Sequence, residues 1–183
     1  VASGGGTVYT DNFNRADTTQ VSGGLGAAWT SDGWMISSNQ AFRNNASGGG
    51  DFATFTQDLG SADHWVEVVR NGGIYAVCNA RHPTATDGQN CYMGFWSPGA
   101  NAWVIGKVVG GSYSDVNVGT SAGTPTAGTL QRLECQGSVQ RLYANNTLVA
   151  TGGDTSLTAG NFIGMNADSA TFDNMRCGQL PWS

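Results

Sequence analysis

Apolar and polar residues alternate in short runs along most of this chain. Trp65-Val66-Glu67-Val68-Val69-Arg70 is rich in β-branched and aromatic residues. Ile74-Tyr75-Ala76-Val77-Cys78 follows across Gly72-Gly73, and the pair reads as a β-hairpin. Residues 91–96 and 102–109 form a second strand pair, joined through Ser97-Pro98-Gly99-Ala100. Residues 130–136, 139–144 and 147–151 read as a three-strand meander, whose second turn, Asn145-Asn146, tolerates the positive φ of a two-residue hairpin loop. Residues 162–166 and 171–176 are the closing strand candidates. Glycine clusters at Gly48-Gly49-Gly50, Gly110-Gly111 and Gly152-Gly153 punctuate these runs as turns do. The pattern predicts about a dozen strands and no helix, which two packed antiparallel sheets accommodate.

Composition agrees. Only 11% of the residues are charged, against a norm of about 25%. Glycine is abundant, at 28 residues. Long solvated helices draw on Glu, Lys, Gln and Arg, whereas this mixture suits short strands and tight turns. A chain of 183 residues fits one domain and buries roughly 70% of its unfolded surface. Residues 1–6 read as a flexible Gly-rich arm and residues 7–183 as a single domain of packed sheets. The chain opens at Val1 without an apolar leader core; loss of an initiator Met is the first reading and cleavage of a longer leader the alternative.

Net charge is −5, Lys107 is the only lysine, and the arginines are scattered. No basic footprint for nucleic acid or for a membrane surface is present. No apolar run approaches the ~20 residues of a membrane helix.

Four cysteines, Cys78, Cys91, Cys135 and Cys177, permit two disulfides. Cys78 and Cys91 flank one polar loop, and Cys135 and Cys177 lie in strand candidates. Four buried free thiols are the equal alternative. No Cys-x-x-Cys unit points to zinc.

Catalytic chemistry finds little support. Glycoside hydrolysis uses two carboxyl groups flanking the sugar. The two glutamates, Glu67 and Glu134, lie alone in separate strand candidates, and no Glu-x-Asp-x-Glu triplet occurs. His64 and His82 read as surface histidines without a triad context. Arg81, His82 and Tyr92 form a weak candidate for a lyase cluster. Asp11 and Asp173 lie in the first and last strands, which often pair in jelly rolls. They could share a structural calcium ion, or simply hold strand ends by hydrogen bonding. Trp96, Trp103 and Tyr113 make a sugar-stacking platform if they share an exposed face, and otherwise fill the core.

Several segments in order carry a resemblance. Asp11-Asn12-Phe13-Asn14-Arg15-Ala16-Asp17 is followed by Leu25-Gly26, Trp29, Trp34, Ile36 and the 39–42 stretch. Leu133-Glu134-Cys135-Gln136-Gly137, Tyr143-Ala144-Asn145-Asn146 and Phe172-Asp173-Asn174 come later. From about Val8 to Cys177 the chain resembles the concanavalin A-like (laminin-G-like) modules in virion proteins of phages infecting actinobacteria, minor tail or decoration proteins. The resemblance implies an all-β, two-sheet antiparallel jelly-roll sandwich without a shared catalytic motif. It implies a non-enzymatic virion accessory protein, bound to other virion subunits and to a host-surface glycan, with the phage particle as its location. A homo-oligomer would suit that role. On a phage protein the acceptor patterns Asn45-Ala46-Ser47 and Asn145-Asn146-Thr147 would carry no glycan. The alternative is a secreted carbohydrate-active protein: a polysaccharide lyase, a hydrolase, or the sugar-binding module of one.

Overall fold

The computed structural model describes residues 6–19, 24–31, 33–43, 52–73, 75–120, 123–168 and 170–181. Residues 1–5 of the expected arm, the Asn45-Ala46-Ser47 pattern, Gly48-Gly49-Gly50 and Ile74 lie outside the described residues. Those described form fifteen strands and no helix. The strands are β1 (Val8–Asp11), β2 (Trp29–Thr30), β3 (Trp34–Ser37), β4 (Gln40–Arg43), β5 (Ala53–Phe55), β6 (His64–Arg70), β7 (Tyr75–His82) and β8 (Cys91–Ser97). They continue as β9 (Ala102–Val109), β10 (Ser112–Val118), β11 (Thr129–Gln136), β12 (Val139–Ala144), β13 (Thr147–Gly153), β14 (Phe162–Asp168) and β15 (Thr171–Gln179).

They make two antiparallel sheets, the expected jelly-roll sandwich. The seven-stranded sheet runs β10-β9-β8-β7-β14-β5-β2. The eight-stranded sheet runs β13-β12-β11-β6-β15-β4-β3. The long β15 pairs with β4 through Thr171 and Phe172, then with β1 beyond Met175. The first and last strands thus do pair, as expected.

Local chemistry sets the turns. Asn145 and Asn146 hold φ of 48° and 64° between the partners Ala144 and Thr147, confirming the predicted tight hairpin. Gly110 and Gly111, at 57° and 79°, do the same between β9 and β10. The hairpin expected across Gly72-Gly73 does not form. β6 pairs with β11 and β15, while β7 pairs with β8 and β14, so the glycines carry the chain from one sheet to the other.

The core lies between the sheets. On β11 the pattern alternates strictly, with Thr129, Gln131, Leu133 and Cys135 facing in and their neighbours facing out. Leu133 and Leu142 meet Trp96, Trp103 and Ile105 from the other sheet. Each such large side chain contributes about 1.5–3 kcal/mol by leaving water. At Gly94 a Cβ would stand 2.6 Å from Leu142 Cδ1, so this close approach needs glycine. Gln131 Nε2 crosses the gap to donate to the carbonyls of Ala76 and Gly94, at 3.1 and 2.6 Å.

Two polar hubs clamp one end. Arg81, at φ 60° in a β-bulge, is buried. Its guanidinium donates to the carbonyls of Ala62 and Leu157 and to Asp63. The Arg81 backbone N–H donates to His64 Nε2 at 3.1 Å, and His64 Nδ1 donates to the Ser61 carbonyl at 2.8 Å. His64 is therefore held as the neutral Nδ1–H tautomer. The second hub is Asp154, which accepts from Tyr92 Oη at 2.7 Å, Lys107 Nζ at 2.5 Å and the Ser156 N–H at 2.8 Å. Burial works to raise the Asp154 pKa, but Lys107, Tyr92 and Ser156 outweigh it and hold the carboxyl below its ordinary range.

Candidate functional site

The outer face of the seven-stranded sheet carries a second apolar layer. Val77, Cys91, Met93, Phe95, Val104 and Val108 cluster there, apart from the core, with Phe52 and Tyr75 packed on them. Register places the alternate residues of β7, β8 and β9 on this face, and Tyr113 and Asp115 join it from β10 as partners of Val108 and Gly106. Asn166 and Asp168 join from β14, opposite Val77 and Tyr75.

Three aromatic rings form a row across these strands. Tyr75 meets Phe95 edge-on at 6.0 Å, and Phe95 meets Tyr113 at 6.3 Å. Phe95 is the buried floor, whereas Tyr113 is 50% exposed. The Tyr113 ring lies directly on β9, because Gly106 has no Cβ. One there would stand 2.6 Å from the ring. Its hydroxyl donates to Asp115, and burial together with that carboxylate pushes the phenol pKa up.

Beside the row lies a cavity of about 310 Å³, bounded by Phe52, Gln89, Met93, Val108, Tyr113 and Asn166 and by the backbone of Gly88 and Gly111. One wall is knitted together by hydrogen bonds. Gly111 N–H donates to the Gln89 carbonyl at 3.0 Å, and Gly110 N–H to Asn90 Oδ1 at 3.0 Å. Asp87 accepts from Gln89 N–H and Asn90 Nδ2. The face therefore offers an apolar floor, stacking rings, amides and carboxylates. No lysine or arginine projects outward from β7, β8, β9, β10 or β14. A cavity that mixes apolar side chains with a few placed polar groups is the arrangement that binds small ligands.

The residues expected to form the platform divide between the two faces. Trp96 and Trp103 are cross-strand partners, stacked edge-on at 5.8 Å inside the sandwich and only 2% and 1% exposed. They are core, and Tyr113 alone of the three reaches the surface. The rings that do share its face, Tyr75 and Phe95, have the opposite parity along their strands.

The structure buries most of the other candidates or ties them into ion pairs. Arg81 and Tyr92 do approach, with the guanidinium 5.9 Å from the ring, but Tyr92 is buried between the sheets and tied to Asp154. His64 and His82 are fully buried rather than on the surface. Glu67 and Glu134 belong to the other sheet and pair with Arg176 and Arg132. Asp11 accepts both guanidinium nitrogens of Arg15, at 2.8 and 2.9 Å, together with Trp29 Nε1 and the Phe13 N–H. A cation at Asp11 would have to displace Arg15. Asp173 pairs with Val69, two residues before Met175, the partner of Asp11. Among the described residues no group of three or more His, Cys, Asp or Glu is arranged for a metal.

The disulfide expectation is corrected. All four cysteines are free and buried. Cys78 belongs to the core and Cys91 to the outer layer, so they lie on opposite faces of the sheet. Cys135 and Cys177 flank β6 from opposite sides, opposite His64 and Val66. Two strand spacings, about 9.5 Å, exceed the Cα separation of about 7 Å that a disulfide tolerates.

Comparison with known proteins supports the fold. No family model matches the chain, and no curated protein matches it in sequence. Among solved structures, the carbohydrate-binding module CBM66 from Bacillus subtilis superposes with a TM-score of 0.65 at 18% identity, over 80% of this chain and 91% of that one. A prokaryotic β-1,3-1,4-glucanase (lichenase) from a mouse hindgut metagenome gives 0.60 at 9% identity, over 95% and 100%. The Caenorhabditis elegans galectin LEC-6 gives 0.55 at 11%, over 69% and 89%. The chain thus has the two-sheet jelly-roll sandwich fold of these structures.

Proposed function

We propose that this chain is a non-catalytic carbohydrate-binding module whose ligand lies on the outer face of the seven-stranded sheet. The observation that carries this reading is the Tyr75–Phe95–Tyr113 row beside the cavity. Aromatic faces stack on the apolar faces of sugar rings, and the neighbouring Asn166 and Gln89 amides suit hydroxyl groups. A carbohydrate-binding module, a galectin and a glucanase share the scaffold, which is support by analogy. The ionisable groups of the chain favour binding over catalysis. Glu67 and Glu134 are ion-paired on the other sheet, and Tyr92 is locked inside. A glycan microarray probed with the whole chain tests the reading. Retention of oligosaccharides supports it, and a blank array of diverse microbial and host glycans overturns it.

A virion setting is the finer reading implied by the Asp-x-Phe-x-Arg-Ala-Asp opening. Asp11, Phe13, Arg15 and Trp29 tie together the start of the fold, and Arg15 also donates to the Leu25 carbonyl at 2.6 Å. The motif therefore has a structural role whatever particle or secreted protein carries the module. None of the solved structures named above is a virion protein. Mass spectrometry of purified phage particles tests the setting. The peptide at defined copy number supports it, and absence removes it in favour of a secreted module.

A further inference from the structure

A buried polar corner lies next to the cavity. Asn79 follows Val77 on the outer face of β7, between its partners Met93 on β8 and Gly164 on β14. It is 0% exposed, and neither Oδ1 nor Nδ2 has a hydrogen-bond partner in the protein. His82 is also 0% exposed. Its Nδ1 donates to the Asp87 carbonyl at 2.6 Å, which leaves Nε2 as a lone-pair acceptor, likewise without a partner. A Cβ on Gly164 would stand 2.7 Å from the Ala53 carbonyl and 3.1 Å from that Nε2, so glycine lets β14 pack close against β5 and His82. The Phe52 ring meets the His82 imidazole edge-on at 5.5 Å, and Phe52 and Met93 also bound the cavity. Phe52 and Met93 thus stand between this buried corner and the cavity.

Buried polar groups without partners cost about 1–3 kcal/mol each. Three such atoms lie buried in one corner, next to the stacking row. We propose that Asn79 and His82 are the hydroxyl-reading floor of the sugar site, entered past Phe52, and that they select uncharged sugars over uronates and other anionic sugars. This rests on the glycan-binding reading above. The selectivity follows from the donor count. His82 Nε2 and Asn79 Oδ1 need a donor, and a hydroxyl supplies one while accepting from Asn79 Nδ2. Two neighbouring hydroxyls can satisfy all three atoms. A carboxylate only accepts, so it would set its charge against two lone pairs. Asp115 on the same face adds repulsion.

The test uses the whole chain, ¹⁵N-labelled and titrated with the methyl glycosides of glucose, galactose and mannose and with methyl glucuronide and galacturonide. The proposal expects a neutral glycoside to shift the Asn79 side-chain NH₂ signals and to bind at least tenfold tighter than the uronates. It expects Asn79→Leu, close in shape, to lose at least tenfold in affinity without losing stability, because it removes unpaired groups. Shifts at Gln89 and Gly111 with none at Asn79 would overturn the floor and leave the glycan reading standing. Uronates binding as tightly as hexosides would do the same. Shifts nowhere on the outer face, from any sugar, would overturn both.

Discussion

Phe95 lies 6.3 Å from Tyr113 across the outer face of the seven-stranded sheet, while the next residue, Trp96, stacks at 5.8 Å on Trp103 inside the sandwich. One step along β8 separates the proposed binding surface from the core, because a strand turns successive side chains to opposite faces.

That division predicts opposite responses to truncation. Trp103→Ala empties a core position and is expected to cost about 3–5 kcal/mol. Tyr113→Ala, at a half-exposed ring, is expected to cost no more than about 1 kcal/mol. Urea denaturation of the two variants checks the difference. Similar losses in both would mean that the outer layer is a second core rather than a site.

Acid should destabilise the fold first through its two buried histidines. Burial lowers the pKa of His64 and of His82 to about 4, against 6.5 in the unfolded chain. Their contribution is complete above pH 6.5. Between pH 6.5 and about 4 the unfolded state binds more protons, so stability falls as the pH drops through that window. Each histidine accounts for roughly 3 kcal/mol. Asp11 and Asp154, whose folded pKa values are depressed, add further loss below about 3.8. Denaturation midpoints from pH 8 to pH 4 check the sign. His64→Gln together with His82→Gln should flatten the decline above pH 4.

Asp154 should matter more than its cation. Asp154→Ala strips Tyr92, Lys107 and the Ser156 N–H of one partner together and is expected to cost about 3 kcal/mol. Lys107→Met leaves Asp154 its other donors and is expected to cost about 1 kcal/mol. Chemical denaturation of both variants checks the order, and a larger loss for Lys107→Met would contradict it.

The four thiols should be silent until the chain unfolds. Burial pushes the pKa of Cys78, Cys135 and Cys177 up to about 12 and that of Cys91 higher still, so almost no thiolate is present at neutral pH. A colorimetric thiol assay is expected to detect none in the native state and four in denaturant. Fewer than four after unfolding without reductant would reveal a disulfide.

The sheet sandwich was legible where one local signal had one structural meaning. Asn145-Asn146 demands positive φ between strands of matched length, and the alternation of β11 fixes its buried side. Gly72-Gly73 was not legible, because the same backbone freedom serves a hairpin or a crossing between sheets. The long-range pairing of β6 with β11 and β15 decides it. The stacking surface was half legible. Cys91-Tyr92-Met93-Gly94-Phe95-Trp96 is apolar on both parities, so periodicity does not say that Trp96 faces in and Phe95 out. Polar β10, exposed along most of its length, lacks the apolar alternation that marks a strand. The buried polar corner at Asn79 needs three strands brought side by side, and no local pattern announces it.

The most direct test of the account is calorimetric titration of the best microarray ligand into the wild-type chain, Tyr113→Ala, and Tyr143→Ala on the opposite sheet. The account predicts at least tenfold weaker binding for Tyr113→Ala and unchanged binding for Tyr143→Ala. Equal binding by all three, or a loss confined to Tyr143→Ala, would contradict it and move the ligand off the outer face of the seven-stranded sheet.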